Sequence, residues 1–250
     1  DEVKLVAGGL RSLGIKLEER CSILCNTRYD WVVIDLGINC AGGATTTIYP
    51  SSNAEGCAYI INNSETQFLF AEDQDQVDKI LGVRDSLPEL KKIITIDGRS
   101  GQSGFVITLD ELKELGRQWL SENDQSYKDR INEIQEDHIS TLIYTSGTTG
   151  LPKGVVLEHR CWVFEAEAMD KLGFLSPSDK QFLWLPLSHS FGKVLEVASI
   201  RIGYPTAIDG RIDRIGANLE ELQPTFVAAV PRIFEKLYNK IITGASQSKL

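Results

Sequence analysis

Ten consecutive residues, Thr145-Ser146-Gly147-Thr148-Thr149-Gly150-Leu151-Pro152-Lys153-Gly154, hold four hydroxyls, three glycines and one lysine. Glycines let backbone N–H groups face a ligand with no Cβ in the way, and hydroxyls can donate to several oxygens of one oxyanion. Lys153 adds a point charge on a flexible stem. The chemistry such a stretch suits is the grip of a phosphate chain. It is not the Walker A pattern, in which four residues separate a glycine from Gly-Lys-[Ser/Thr], because Gly150 is followed by Leu-Pro and Lys153 by Gly154. Composition alone leaves an ordinary polar turn as the bland reading, so the order of the residues has to carry the argument.

Two further segments hold residues of interest. Trp184-Leu185-Pro186-Leu187-Ser188-His189-Ser190-Phe191-Gly192 places a histidine after what reads as the end of a strand. A lone histidine is most often a structural hydrogen-bonding residue, and if functional His189 would orient a substrate rather than shuttle protons. The run from Gln223 to Tyr238, with Val230-Pro231-Arg232 at its centre, reads as a buried strand and then a helix with Pro in its first turn and Ile233, Leu237 and Ile241 facing the core.

Tyr-Thr-Ser-Gly-Thr-Thr-Gly-Leu-Pro-Lys-Gly-Val, from Tyr144 to Val155, resembles the phosphate-loop signature of the adenylate-forming superfamily of acyl-CoA synthetases, luciferases and peptide-synthetase adenylation domains. The resemblance implies that Thr145, Ser146, Gly147, Thr148, Thr149, Gly150 and Lys153 hold the β- and γ-phosphates of ATP, with Mg²⁺, while a substrate carboxylate attacks the α-phosphate. The products would be an acyl adenylate and pyrophosphate. Positioning and charge neutralisation are what in-line phosphoryl chemistry requires, so no protein nucleophile is needed. The Leu-Pro-x-x-His pattern is similar to the superfamily's second motif, which implies that His189 lies beside the bound carboxylate and adenylate.

The Pro-Thr…Val-Pro-Arg-x-x-Glu-Lys run, together with Arg28-Tyr29-Asp30-Trp31 and Ile48-Tyr49-Pro50-Ser51-Ser52, resembles the long-chain fatty acyl-CoA synthetase branch. That branch is AMP-forming: it passes the acyl group from the adenylate to the thiol of CoA, with an acyl tunnel expected to open near His189 and the helix after it. An adenylation module feeding a carrier protein or a reductase, and a non-catalytic nucleotide-binding remnant, are the competing readings. The superfamily's Tyr-Gly-x-Thr-Glu and Thr-Gly-Asp segments and its C-terminal lid with a catalytic lysine have no counterpart in these 250 residues. No catalytic residue is therefore assigned, and the chain reads as a partial piece without full turnover of its own.

The elements that must position these residues alternate. Val3, Val6, Leu10 and Leu13 mark a first helix that Gly14 stops. A strand at 22–24, a helix over 28–41, a Thr-rich strand at 44–49, a helix over 54–62, a strand at 68–70, a helix over 74–81 and a strand at 93–96 follow. Residues 97–104 read as a surface loop, and 121–136 as a polar, partly helical, solvent-facing stretch. The order resumes with a strand at 141–144, a helix over 158–169, a strand at 182–185 and a helix over 194–200. A strand at 205–208, a helix over 212–222, a strand at 226–229 and a helix over 232–242 complete it. Such alternation predicts an α/β fold of helix-covered, mainly parallel sheets, and the resemblance implies part of the large N-terminal domain of an adenylate-forming enzyme. A boundary near 136–140 would divide a first α/β subdomain, 1–138, from a second, 139–250, which carries the phosphate loop and is incomplete, with the lid domain absent.

A net charge of −9 argues against a nucleic-acid surface, which needs clustered Lys and Arg. No apolar run reaches the ~20 residues that span a bilayer, and Asp1-Glu2-Val3-Lys4 lacks the basic and apolar regions of a signal peptide. The expectation is a cytoplasmic protein open to peripheral membrane contact. Cys21, Cys25, Cys40, Cys57 and Cys161 form no C-x-x-C pair and read as buried reduced thiols, so no metal site is expected of them.

Overall fold

A computed structural model describes residues 1–145, 150–235, 238, 239 and 242. After helix α1 (Glu2–Ser12), the strands β1 (Arg20–Leu24), β2 (Ala44–Ile48), β3 (Thr66–Ala71) and β4 (Lys92–Thr95) alternate with α2 (Tyr29–Cys40), α3 (Ala54–Asn63) and α4 (Gln74–Leu81). Asn53 and Asp73 cap α3 and α4, their side-chain oxygens accepting from Gly56 N and Gln76 N. A short strand β5 (Val106–Thr108) then leads into the long helix α5 (Leu109–Glu133).

Strands β6 (Ile139–Thr145) and β7 (Lys153–Glu158) complete a seven-stranded sheet in the order β5-β4-β3-β1-β2-β6-β7. Every neighbouring pair is parallel except β6 and β7. Helices cover both faces. Phe68 and Phe70 point to the side of α1, α2 and α5, where Val6, Leu10, Trp31, Ile34 and Leu112 pack. Leu69 and Ala71 point to the side of α3 and α4, among Cys57, Ile61, Val77 and Ile80. Burial on both faces explains why the central strands read as continuous apolar or threonine runs rather than alternating ones.

A second sheet pairs β8 (Gln181–Leu183) with β9 (Thr206–Ile208), parallel, with α6 (His159–Leu172), α7 (Ser190–Ile202) and α8 (Ile215–Leu222) in the same part of the chain. The α/β class and mainly parallel pairing match the sequence reading, and four local expectations change. The strand β5 and the first half of α5 were not anticipated, although Thr108 and Glu111 form a capping box there. Strand β7 was not anticipated either. Of the expected strand at 226–229, only Phe226 pairs, as a single parallel bridge to Gln181. Residues 231–235 are helical as expected, while 236, 237, 240 and 241 of that expected helix lie outside the described residues.

All five cysteines are free thiols, and Cys40 and Cys161 are half-buried rather than buried. Among the described residues no helix is long and apolar enough to cross a membrane.

Candidate active site

The β6–β7 pairing sets the geometry of the loop. Thr145 stands opposite Lys153 and Tyr144 opposite Gly154, so residues 146–152 connect two strands whose ends are hydrogen-bonded to each other. Thr145 and Lys153 therefore sit together at the base of that connection, both exposed. Lys153 is in none of the ion pairs among the described residues, which leaves its ammonium available to a ligand. Gly150 has φ +98° and open space where a Cβ would stand, a backbone that favours glycine. Ser146, Gly147, Thr148 and Thr149, the other predicted phosphate-loop residues, lie outside the described residues.

Helix α3 holds the foot of this hairpin. The Tyr144 hydroxyl donates to Asn63 Oδ1 at 2.7 Å, and the Tyr59 hydroxyl donates to the Pro152 carbonyl at 3.0 Å. Burial pushes the Tyr144 phenol up to about 12, so it stays a neutral donor.

His189 is placed by a different set of contacts. The segment after β8 turns back, and His189 becomes the N-cap of α7, its Nδ1 accepting from Phe191 N at 3.3 Å. The imidazole is exposed. Thr27, in the turn after β1, donates from Oγ1 to the Leu185 carbonyl at 2.8 Å and accepts from Leu187 N at 3.1 Å. Thr47 of β2 donates to the Ser188 carbonyl at 3.1 Å. Gly192 closes the turn: a Cβ there would lie 2.3 Å from the Pro186 carbonyl oxygen. The His189 segment is thus strapped to the carboxyl ends of β1 and β2, and β2 is the parallel neighbour of β6.

Thr47 stands opposite Ile143, two residues before Thr145, and its hydroxyl also lies 3.4 Å from the Leu142 carbonyl. One buried side chain consequently bridges the strand that leads into the phosphate loop and the residue preceding His189. Both motifs open on the carboxyl edge of the parallel strands, where ligands of such sheets bind. Beside Ser188 a cavity of about 320 Å³ is lined by Cys25, Tyr49, Trp184, Ile212 and Ile215, among others. Burial raises the Cys25 thiol well above its usual range, so it is no nucleophile there.

Sequence reasoning did not find Thr27, Thr47 or Tyr59, and it named Tyr144 only as the opening residue of the phosphate-loop signature. The signal for Thr47 was the run Thr45-Thr46-Thr47, three hydroxyls in a strand buried on both faces. Of the three, Thr47 has acceptors, while the Thr45 and Thr46 hydroxyls find no hydrogen-bond partner among the described residues.

Known proteins share the sequence family and the fold. A family profile described as "AMP-binding enzyme" matches residues 1–249. The long-chain-fatty-acid–CoA ligase FadD15 of Mycobacterium tuberculosis is 31% identical over 250 residues, covering 99% of this chain and 40% of its own length. The long-chain-fatty-acid–CoA ligase ACSBG2 of Xenopus laevis is 33% identical over 264 residues, covering 100% of this chain and 35% of its own length. The crystal structure of a long-chain-fatty-acid-CoA ligase (FadD1) from Archaeoglobus fulgidus superposes with a TM-score of 0.80 at 20% identity, over 97% of this chain and 46% of that one. The anthranilate CoA ligase AuaEII in complex with anthranoyl-AMP gives a TM-score of 0.75 at 22% identity, over 93% and 44%. The structural likenesses establish a shared fold, and the chain spans about 40% of the length of the mycobacterial relatives. Matched by that profile over nearly its whole length, the chain belongs to the AMP-binding enzyme family.

Proposed function

We propose that this chain forms the phosphate-binding and carboxylate-binding side of a long-chain fatty-acid–CoA ligase. The carboxylate of a long-chain fatty acid attacks the α-phosphate of ATP, pyrophosphate leaves, and the thiol of CoA then attacks the acyl carbon and releases AMP. In this reading Thr145, Gly150 and Lys153, with Ser146, Gly147, Thr148 and Thr149, hold the β- and γ-phosphates. His189 orients the carboxylate and the adenylate. The observation that carries the reading is the Thr47 hydroxyl, which ties the two motifs to one sheet edge.

Among the described residues no group of three or more His, Cys, Asp or Glu side chains could hold a metal. A Mg²⁺ ion brought in with ATP fits such a site, because it takes most of its ligands from phosphates and water; among the described loop residues the Thr145 hydroxyl would be available to it. It would neutralise charge on the phosphates. For the acyl chain, an apolar depression of about 620 Å³ beside His189, lined by Leu157, Trp162, Phe164, Ser190 and Val194, supports a tunnel opening between α6 and α7. The exposed Phe164 and Leu172 on α6 are consistent with peripheral contact of a cytoplasmic enzyme with a bilayer that supplies long acyl chains. A division into subdomains 1–138 and 139–250 belongs to the same proposal. The separate apolar cluster around Phe182, Trp184 and Ile215 supports it, with β6 and β7 as the seam.

Calorimetric titration of the chain with MgATP and with magnesium pyrophosphate tests the phosphate reading. Loss of a charge-assisted hydrogen bond in Lys153→Ala costs about 1.5–3 kcal/mol, so binding of both ligands should weaken by roughly 10- to 150-fold. Absence of binding in the unmodified chain, or equal binding in the variant, would overturn the assignment.

A further inference from the structure

A charge cluster that neither motif uses is sealed where α2, α6 and α7 meet. Lys193 lies one turn after His189 on α7, and its side chain is 3% exposed. Its ammonium sits 2.5 Å from Asp35 Oδ2 of α2 and 3.0 Å from Glu196 Oε2 of its own helix. The rings of Trp31 on α2 and Trp162 on α6 flank it at 5.6 and 5.5 Å. The Trp162 indole N–H donates to Thr141 Oγ1 of β6 at 3.0 Å, and the backbone N–H of Lys193 donates to the His189 carbonyl at 3.2 Å. One side chain therefore lies against partners that lead to both motifs.

Asp35 and Glu196 carry two negative charges against the one positive charge of Lys193. With all three ionised, a negative charge remains uncompensated away from water, an arrangement costing several kcal/mol. Among the described residues Asp35 Oδ1 and Glu196 Oε1 find no hydrogen-bond partner, and Glu196 Oε2 has only the ion pair with Lys193 at 3.0 Å, so the surroundings do not offset it. Asp35 holds the shorter contact to the ammonium, which leaves Glu196 as the carboxyl that keeps a proton. Burial raises the Glu196 carboxyl to about 7 against the opposing pull of Lys193. Lys193 itself is held charged: burial alone would lower it, and the two carboxylates override that. The other ionisable neighbours are His159 at the start of α6, pushed below its usual value by burial, with His138 and Glu18 behind it, and Cys40 at the end of α2, pushed above its usual value by burial and by Asp35.

We propose that Asp35, Lys193 and Glu196 form a one-proton latch. With a proton on Glu196 the cluster is neutral and holds α7, and with it His189, against α2 and α6. Release of that proton to solvent leaves a buried negative charge and loosens α7. Lys193 is then a positioning residue for His189. Only this last step rests on His189 meeting substrate; the latch itself does not.

The test needs no ligand, so it stands or falls apart from the nucleotide reading. In the whole chain, labelled with ¹³C and ¹⁵N, the Glu196 carboxyl carbon is assigned through its own backbone and titrated between about pH 5 and 9, a range that brackets ordinary histidine and lies above ordinary carboxylates. Its midpoint should fall near neutrality, and the Lys193 backbone amide should shift with the same midpoint. In Glu196→Gln that transition of the Lys193 amide should vanish. A Glu196 carboxyl ionised throughout the range would overturn the proposal, as would a Lys193 transition unaltered in Glu196→Gln. Should the variant not fold, the midpoint in the unmodified chain decides alone.

Discussion

Replacing Gly192 by alanine sets two effects against each other, and the structure says which should prevail. An added Cβ would lie 2.3 Å from the Pro186 carbonyl oxygen, 2.8 Å from its carbon and 3.2 Å from Leu187 Cα, where 3.4 Å is ordinary contact. The shortfall is 3.4 − 2.3 = 1.1 Å against backbone, not against a side chain that can swing away. That backbone is held by Thr27 on both sides of Pro186 and by Thr47 at Ser188, so it yields only if those hydrogen bonds stretch. Overpacking of this kind costs about 1–3 kcal/mol. Alanine recovers up to about 1 kcal/mol of helix propensity in a helix interior, and less in a first turn. With a first-turn offset of about 0–0.5 kcal/mol, the net expectation is a loss of about 0.5–3 kcal/mol, equivalent to a fall in Tm of roughly 1–12 °C for a chain of this size. Gly216 on α8 is the control, since nothing lies within 4 Å of its would-be Cβ; alanine there should stabilise by about 0.4–1 kcal/mol. Thermal unfolding followed by circular dichroism reads both variants. If Gly192→Ala melts at or above the unmodified chain, as Gly216→Ala should, the reasoning about the His189 turn is wrong.

Lys193→Ala leaves Asp35 and Glu196 buried without their cation, and should lower the unfolding free energy by about 3–5 kcal/mol, read as a shift in the urea midpoint. The combined variant Lys193→Met, Asp35→Asn, Glu196→Gln should recover most of that loss. The pH dependence has a definite sign: the folded chain keeps the Glu196 proton to about 7 whereas an unfolded chain releases it in the ordinary carboxylate range. Its contribution is therefore full at low pH and is lost as pH climbs through about 7, so the urea midpoint should be lower at pH 8 than at pH 6 in the unmodified chain and less so in Glu196→Gln. The 250-residue polypeptide alone should form little acyl-CoA from palmitate, ATP and CoA beside an intact ligase; turnover near that of the intact enzyme would refute the partial-site reading.

The alternation of strands and helices was legible because helix caps and β-branched runs are local signals. Strand β7 was not, because Val155 and Val156 sit exposed at the sheet edge and Lys153-Gly154 reads as loop. The start of α5 went unseen although Thr108-x-x-Glu111 announces it, since the polar stretch after it diluted the apolar period of Leu109, Leu112 and Leu115. The residues proposed for the phosphate loop, and His189, stood out in the sequence as strings of types. Their connection did not: the Thr27 and Thr47 contacts span 158 and 141 positions and exist only once the sheets are assembled. The Asp35–Lys193 pair is equally non-local, and a lysine in the middle of an apolar helical face was its only trace in the sequence.

The way the hairpin is built bears on how it could hold a polyanion. In many α/β proteins a phosphate chain meets the N-terminus of the helix that follows a parallel strand, where orphan N–H groups and the helix dipole share the charge. Here the loop joins β6 to an antiparallel β7, and α6 begins only at His159, beyond the far end of that strand. The helix end is removed from the loop by the length of β7. What the described residues place at the loop's base is Thr145 and Lys153, which has no ion-pair partner among them, with Gly150 of the same connection at positive φ. In the proposed phosphate-binding role, Lys153 is then the charged loop side chain among the described residues that would neutralise the anion. The loss expected on removing Lys153 is accordingly set by a full charge rather than by a helix dipole, whose contribution is typically 0.3–1 kcal/mol. A binding loss in Lys153→Ala confined to that smaller range would mean that the loop's backbone, and not its lysine, carries the anion.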